Sequence, residues 1–156
     1  MKKSITELKK PIVLSVRLLD NHLNFETTWG LFSPTEIDAG THQLLGDLKL
    51  SSEKSILDIG CGYGPLGIAI ANALPEAQVT MVDKDFVAVE YSQKNALLNG
   101  CNNATAFLSN GFSHIPEHAQ YDLIVSMYIQ SHCLSESFAV ERDRIARGSE
   151  EMHSFP

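Results

Sequence analysis

Residues 55–67 read Ser55-Ile56-Leu57-Asp58-Ile59-Gly60-Cys61-Gly62-Tyr63-Gly64-Pro65-Leu66-Gly67. Ile56, Leu57 and Ile59 surround Asp58 and end at a glycine, the profile of a short buried strand. Gly60, Gly62, Gly64 and Gly67 then punctuate a turn, and an apolar helical pattern begins at Pro65. Without a Cβ, a glycine backbone can take φ > 0 and lie against a ligand. The start of a helix beside the turn offers free N–H groups and a partial positive charge. This strand, turn and helix together predict a site for a nucleotide-like ligand.

The elements on either side give the fold class. The helix from Pro65 runs to about Leu74 and stops at Pro75. Val79–Val82 reads as a second buried strand ending in Asp83, and Phe86–Leu98 as a second helix closed by Gly100. Thr105–Leu108 is a third strand, ending at Ser109-Asn110-Gly111, and Tyr121–Val125 a fourth. Alternating strands and helices with short links predict a parallel α/β sheet, doubly wound, with ligands beyond the carboxyl ends of its strands. Upstream, Ile12–Leu19 and His22–Thr27 form a predicted hairpin turning at Asp20-Asn21. Ser33-Pro34-Thr35-Glu36 then has the form of a helix start, with Ser33 as cap.

Residues 1–126 thus read as one domain with an N-terminal hairpin, and 127–156 as an atypical polar tail. The tail is expected to hold no strand and at most one helix between Ser135 and Arg147, lined by Leu134, Phe138 and Ile145. There is no internal repeat.

Composition narrows the function classes. The 156 residues suffice for one domain with its own core. A formal net charge of −7 argues against broad binding to a phosphate backbone. Residues 1–20 are locally basic, with Lys2, Lys3, Lys9, Lys10 and Arg17 against Glu7 and Asp20; a solubilising terminus is the plainer reading than an RNA contact. No apolar run is long enough to span a membrane, and no apolar stretch follows Lys2-Lys3 as a signal peptide requires. Cys61, Cys101 and Cys133 are odd in number and lack metal-ligand spacing, so reduced thiols in a cytoplasmic protein without a metal are expected. His114, His118, His132 and His153 show no pairing and read as solvated.

Gly62-x-Gly64-x-x-Gly67 alone is a weak signal. Two carboxylates sharpen it. Asp58 is expected at the strand's exit, near a ligand rather than in the core. Asp83 ends the next strand, 19 residues after Gly64, where an acid can accept hydrogen bonds from ribose hydroxyls.

With these residues, Asp58-Ile-Gly60-Cys-Gly62-Tyr-Gly64-Pro-Leu-Gly67 resembles the first motif of class I S-adenosylmethionine-dependent methyltransferases. Phe25-Glu-Thr-Thr-Trp-Gly30-Leu-Phe32-Ser33, followed by Asp38-Ala-Gly40-Thr41 and Leu44-Leu45, narrows the resemblance to the methyltransferase small domain family, whose members include ribosomal-RNA guanine-N2 methyltransferases. The resemblance spans about residues 12–126 and implies a Rossmann-like class I methyltransferase fold with S-adenosylmethionine as cofactor and ribosomal RNA as substrate. It implies that the Gly60, Cys61, Gly62 and Gly64 turn takes the methionine part, with Asp58 near its ammonium. Asp83 would hold the ribose, Lys84 or Asp85 would flank the adenine, and Asn110 with Gly111 would read its edge. Asp38, Gly40 and Thr41 would close over the methionine end. Cys61 is expected to pack rather than act as a nucleophile. No catalytic residue is assigned, since the substrate itself attacks the methyl group.

The resemblance ends abruptly. The family places Asn-Pro-Pro or a near relative after the fourth strand, to hold the amine that is methylated; here Ser126-Met127-Tyr128-Ile129 follows. The expected later strands are also absent, as in a truncated or frame-shifted member whose fold is incomplete at its C-terminal side. The fourth strand would then be an unprotected edge and the acceptor half of the site would be missing. Three readings follow: a methyltransferase acting on guanine N2 of ribosomal RNA, a catalytically impaired S-adenosylmethionine-binding remnant, and an NAD-dependent oxidoreductase. The last is disfavoured by Asp58 and the Phe25–Thr41 signature.

Overall fold

A computed structural model describes residues 4–8, 10–128 and 137–141. Helix α1 (Ile5–Leu8) precedes a hairpin of β1 (Ile12–Leu18) and β2 (Asn21–Thr27). Helix α2 (Ala39–Asp47) leads into β3 (Ser55–Ile59), α3 (Pro65–Ala73), β4 (Gln78–Asp83), α4 (Phe86–Leu98), β5 (Ala104–Leu108), β6 (Leu123–Tyr128) and β7 (Ser137–Glu141). The last five strands form one sheet in the order β5-β4-β3-β6-β7, and the first two pair with each other. β3 runs parallel to β4 and β6, so the chain reverses direction across the sheet on either side of β3, the position where open α/β sheets bind ligands.

The pleat sorts β3 into two faces. Ile56, with Val79 and Met81 of β4 and Leu123 and Val125 of β6, joins the large core beneath α3, α4 and the hairpin. Leu57, Val82 and Ile124 face the other way, against Ile115. That second face is covered by the irregular stretch 109–122, so both crossover helices lie on one side and the return crossing carries no helix. Among the described residues no helix is long and apolar enough to cross a membrane.

Several element boundaries differ from expectation. The hairpin turns at Leu19-Asp20 rather than Asp20-Asn21, with both residues at positive φ (46° and 64°). A two-residue loop of that twist matches the twist of the strands it joins. Ser33 does not cap a helix: its φ is 45°, its Oγ donates to Glu36 O at 2.7 Å, and α2 begins only at Ala39. Asp38 is the cap, its carboxylate accepting from Thr41 N (2.8 Å) and Thr41 Oγ1 (2.7 Å). The fourth strand of the sequence is displaced to Leu123–Tyr128, because Asp122 is committed to the N–H groups of Lys54 and Ser55 at the start of β3.

The tail departs furthest. β6 continues through Tyr128, and β7 pairs antiparallel with it from Ile124↔Glu141 to Tyr128↔Ser137. A strand therefore stands where part of a helix was expected, and β6 is not an open edge. The remaining tail residues, 129–136 and 142–156, including Cys133, lie outside the described residues.

Candidate functional site

A cleft of about 170 Å³ opens beyond the carboxyl ends of β3, β4 and β6. Its floor is Asp58, Gly60, Cys61, Gly62 and Tyr63; Pro65 and Leu66 come from the start of α3, Asp83 from the end of β4 and Met127 from β6. Phe32, Asp38 and Thr41 complete the rim. Gly60 (φ 74°) and Gly62 (φ 58°) hold the left-handed backbone that only glycine adopts cheaply, and a Cβ on either would meet nothing within 4 Å. Their backbone therefore faces open space on the cleft side.

Gly64 and Gly67 serve packing instead. A Cβ on Gly64 would lie 2.7 Å from Ile68 Cδ1, and one on Gly67 would lie 2.7 Å from Met81 and 2.9 Å from Asp58 Oδ2. The absence of that Cβ lets Gly67 N donate to Asp58 Oδ2 at 2.9 Å. Asp58 is thus in the core, 1% exposed, contrary to the expected place outside it. It still lines the cleft, and among the described residues its Oδ1 has no hydrogen-bond partner. Burial pushes its carboxyl up to about 7; the Gly67 N–H opposes this and the charge of Asp83 adds to it.

Most of the turn's N–H groups are already used, which narrows the expectation of free donors to Tyr63 N and Leu66 N. Gly60 N and Cys61 N donate to Val82 O (2.8 and 3.0 Å), Gly62 N to Asp83 Oδ2 (2.9 Å) and Gly64 N to Cys61 O (2.9 Å). Pro65 has no N–H to give. Among the described residues no Lys, Arg or His lines the cleft, whereas Asp38, Asp58 and Asp83 do. A phosphate placed here would find carboxylates and few donors; a ligand with a cation and hydroxyl donors finds acceptors.

Two buried side chains of α4, not anticipated from the sequence, fasten the turn. Ser92 Oγ donates to Gly62 O at 2.7 Å, and Asn95 Nδ2 donates to Tyr63 O at 2.8 Å. Cys61 Sγ lies 3.3 Å from Ser92 Oγ. Its thiol is held well above the usual range by burial and by Asp58, the environment of a packing residue rather than a nucleophile. Tyr63 Oη donates to both Ser33 O and Glu36 O at 3.2 Å, tying the rim to the turn. Thr41 Oγ1 also lies 3.5 Å from Met127 Sδ, so α2 touches the end of β6.

Of the residues singled out in the sequence, Asp38, Thr41, Asp58, Gly60, Cys61, Gly62 and Asp83 converge on this cleft. Gly40 is buried within α2 and Gly64 caps α3. Lys84, Asn110 and Gly111 sit at the carboxyl ends of β4 and β5, outside the lining. Ser109 Oγ donates to Gly111 O, and Asn110 N donates to Ser113 Oγ.

A family model described as the methyltransferase small domain matches residues 22–127. Uncharacterized protein YbxB of Bacillus subtilis is 36% identical over 102 residues, 65% of this chain and 51% of its own length. Ribosomal RNA small subunit methyltransferase C of Klebsiella pneumoniae is 36% identical over 108 residues, 69% of this chain but 30% of its own length. The 16S rRNA N2 methyltransferase RsmC of T. thermophilus, solved in complex with AdoMet and guanosine, superposes with a TM-score of 0.73 at 26% identity, over 84% of this chain and 36% of that one. A SAM-dependent methyltransferase from Agrobacterium tumefaciens shares the fold, with a TM-score of 0.56 at 18% identity over 74% of this chain and 39% of that one. The chain thus spans about half the length of one relative and about a third of the others.

Proposed function

The chain belongs to the methyltransferase small domain family, and on that premise we propose that it binds S-adenosylmethionine in the cleft and methylates N2 of a guanine in small-subunit ribosomal RNA. One observation carries the cofactor assignment: buried and half-buried carboxylates converge on a turn most of whose amides are already bonded. That arrangement suits an ammonium and ribose hydroxyls and disfavours the diphosphate of a nicotinamide dinucleotide.

The residues fit the cofactor at definite places. Asp58 Oδ1, buried and unpartnered, is suited to a cationic ammonium, and Gly60 and Gly62 leave room for a ligand against the backbone. Asp83 already accepts Gly62 N and Asp85 N, so it is held in place with lone pairs to spare for ribose hydroxyls. Asp38, with Gly40 behind it and locked to Thr41, closes the methionine end; Lys84, Asn110 and Gly111 stand on the strand ends toward which the adenine would extend. When bound, the cofactor supplies an electrophilic methyl group. The protein then needs no nucleophile of its own; its residues orient two reactants and exclude water, and catalysis is mainly positioning.

A second reading, cofactor binding without transfer, is favoured by Met127. This thioether stands at the end of β6, beside Thr41, where the family motif would place an amide to hold the target amine. Incubation with tritiated S-adenosylmethionine and unmodified small-subunit ribosomal RNA separates the two. Label recovered as N2-methylguanosine supports transfer; tight cofactor binding with no label supports the second reading.

A further inference from the structure

We propose that Phe32 is the stacking face for the purine that accepts the methyl group, an inference that rests on the methyltransferase reading above. Phe32 lines the cleft yet remains 54% exposed, an aromatic ring left in water at the mouth of a site. The loop that carries it is fastened on both sides. Leu31, only 7% exposed, anchors it in the core, and Leu31 N donates to Thr28 O at 3.0 Å. Beyond the ring, Thr27 Oγ1 donates to Pro34 O at 2.7 Å, and Tyr63 Oη holds Ser33 O and Glu36 O. Ser33 keeps its left-handed φ of 45° within this set of bonds. A ring exposed on a preorganised loop costs a ligand little ordering entropy.

The position suits the acceptor. The loop runs into Asp38 and Thr41, and Thr41 touches Met127 at the end of β6. Asp83 lies at the end of β4, on the far side of β3, two strand spacings or about 10 Å away. The rim near Met127 is therefore the end of the cleft opposite the ribose site. Phe32 and Met127, an aromatic ring and a thioether, both line this cleft, and each is a surface on which an unstacked base can pack.

Guanosine titrations followed by NMR chemical shifts, with and without saturating S-adenosylhomocysteine, test this on wild-type, Phe32→Ala and Phe32→Tyr proteins. Because the ring is exposed, both variants are expected to melt at the wild-type temperature. Phe32→Ala should weaken guanosine binding about tenfold. Phe32→Tyr should hold guanosine within about twofold of wild type, and both variants should hold S-adenosylhomocysteine within about twofold. Equal guanosine affinity in wild type and Phe32→Ala, no guanosine binding by wild type, or a loss confined to S-adenosylhomocysteine would each overturn the assignment. If guanosine binds through Phe32 while S-adenosylhomocysteine fails to bind wild type, the methyltransferase reading falls and the acceptor role with it, and only purine stacking on Phe32 stands.

Discussion

Asp58 carries both a structural and a chemical load. Its folded pKa, raised from 3.8 to about 7, means that the native protein binds a proton there which the unfolded chain has already lost. The stability it contributes is full below about pH 4 and is lost as pH rises to about 7, roughly 4 kcal/mol in all. Asp58→Asn keeps an acceptor for Gly67 N without the charge. Urea unfolding at pH 5 and pH 8 should therefore show the variant gaining on the wild type as pH rises; parallel pH profiles would contradict the burial of a titrating carboxyl. An ionised Asp58 is also the form that attracts an ammonium, so wild-type affinity for S-adenosylmethionine should strengthen through pH 7 and that of Asp58→Asn should not. Gly67→Ala tests the same contact from the other side. Its Cβ would press on Met81 and Asp58, and a loss of about 1–3 kcal/mol of stability is expected in thermal or urea melts. That Asp58 and Asp83 share one cleft was legible in the sequence because strand ends and glycine spacing place them; the burial of Asp58 was not. Ser92 and Asn95 were not, because a polar residue on an amphipathic helix reads as solvent-facing until the partner that buries it is known.

The joint between the hairpin and α4 shows how elements are fixed without a continuous sheet. Asn95 Oδ1 accepts Glu26 N (2.7 Å) and its Nδ2 donates to Glu26 O (2.9 Å); Asn99 repeats this with Asn24 N (2.9 Å) and Asn24 O (2.7 Å). Four helical residues advance about 6 Å and two strand residues about 6.8 Å, so an Asn-x-x-x-Asn pair can imitate the rungs of a neighbouring strand. Lys94 adds an ion pair with Glu26 at the rim of this joint. Asn95→Ala would strand Tyr63 O in a buried place and Glu26 N and Glu26 O in a half-buried one, and should cost about 3 kcal/mol, read by urea denaturation. The corresponding loss for exposed Lys94→Ala should be far smaller. The start of α2 was misplaced for a related reason. Ser33-Pro34-x-Glu36 and Asp38-x-x-Thr41 both offer caps, and the choice is made by Tyr63, which takes the carbonyls of Ser33 and Glu36 from across the cleft. The pairing of β7 with β6 was illegible because Leu134, Phe138 and Ile145 read at helical spacing and no apolar run in the tail exceeds three residues. Since β7 covers that edge, removing residues from Ser137 onward should speed amide exchange in β6 and promote aggregation.

For the molecule as a whole, the sheet order β5-β4-β3-β6-β7 puts every lining strand end at one edge, and the crossovers put the large core on one face of the sheet. The parallel α/β class was readable from the alternation of elements, and the cleft from the glycine turn with its two acids. What the sequence left open was the polarity of the turn. Glycine spacing alone suggested a nucleotide-like ligand beside free N–H groups, whereas the folded chain spends most of those amides on Val82, Asp83, Cys61 and Asp58 and leaves carboxylates lining the cleft. The central claim is therefore that this cleft selects S-adenosylmethionine. Calorimetric titration of the whole chain at pH 8 with S-adenosylmethionine and, separately, with NAD tests it most directly. The account predicts one-to-one binding of S-adenosylmethionine, weakened by about 1–3 kcal/mol in Asp83→Ala, and no heat with NAD. Folded protein that ignores S-adenosylmethionine, or binds NAD in its place, would contradict it.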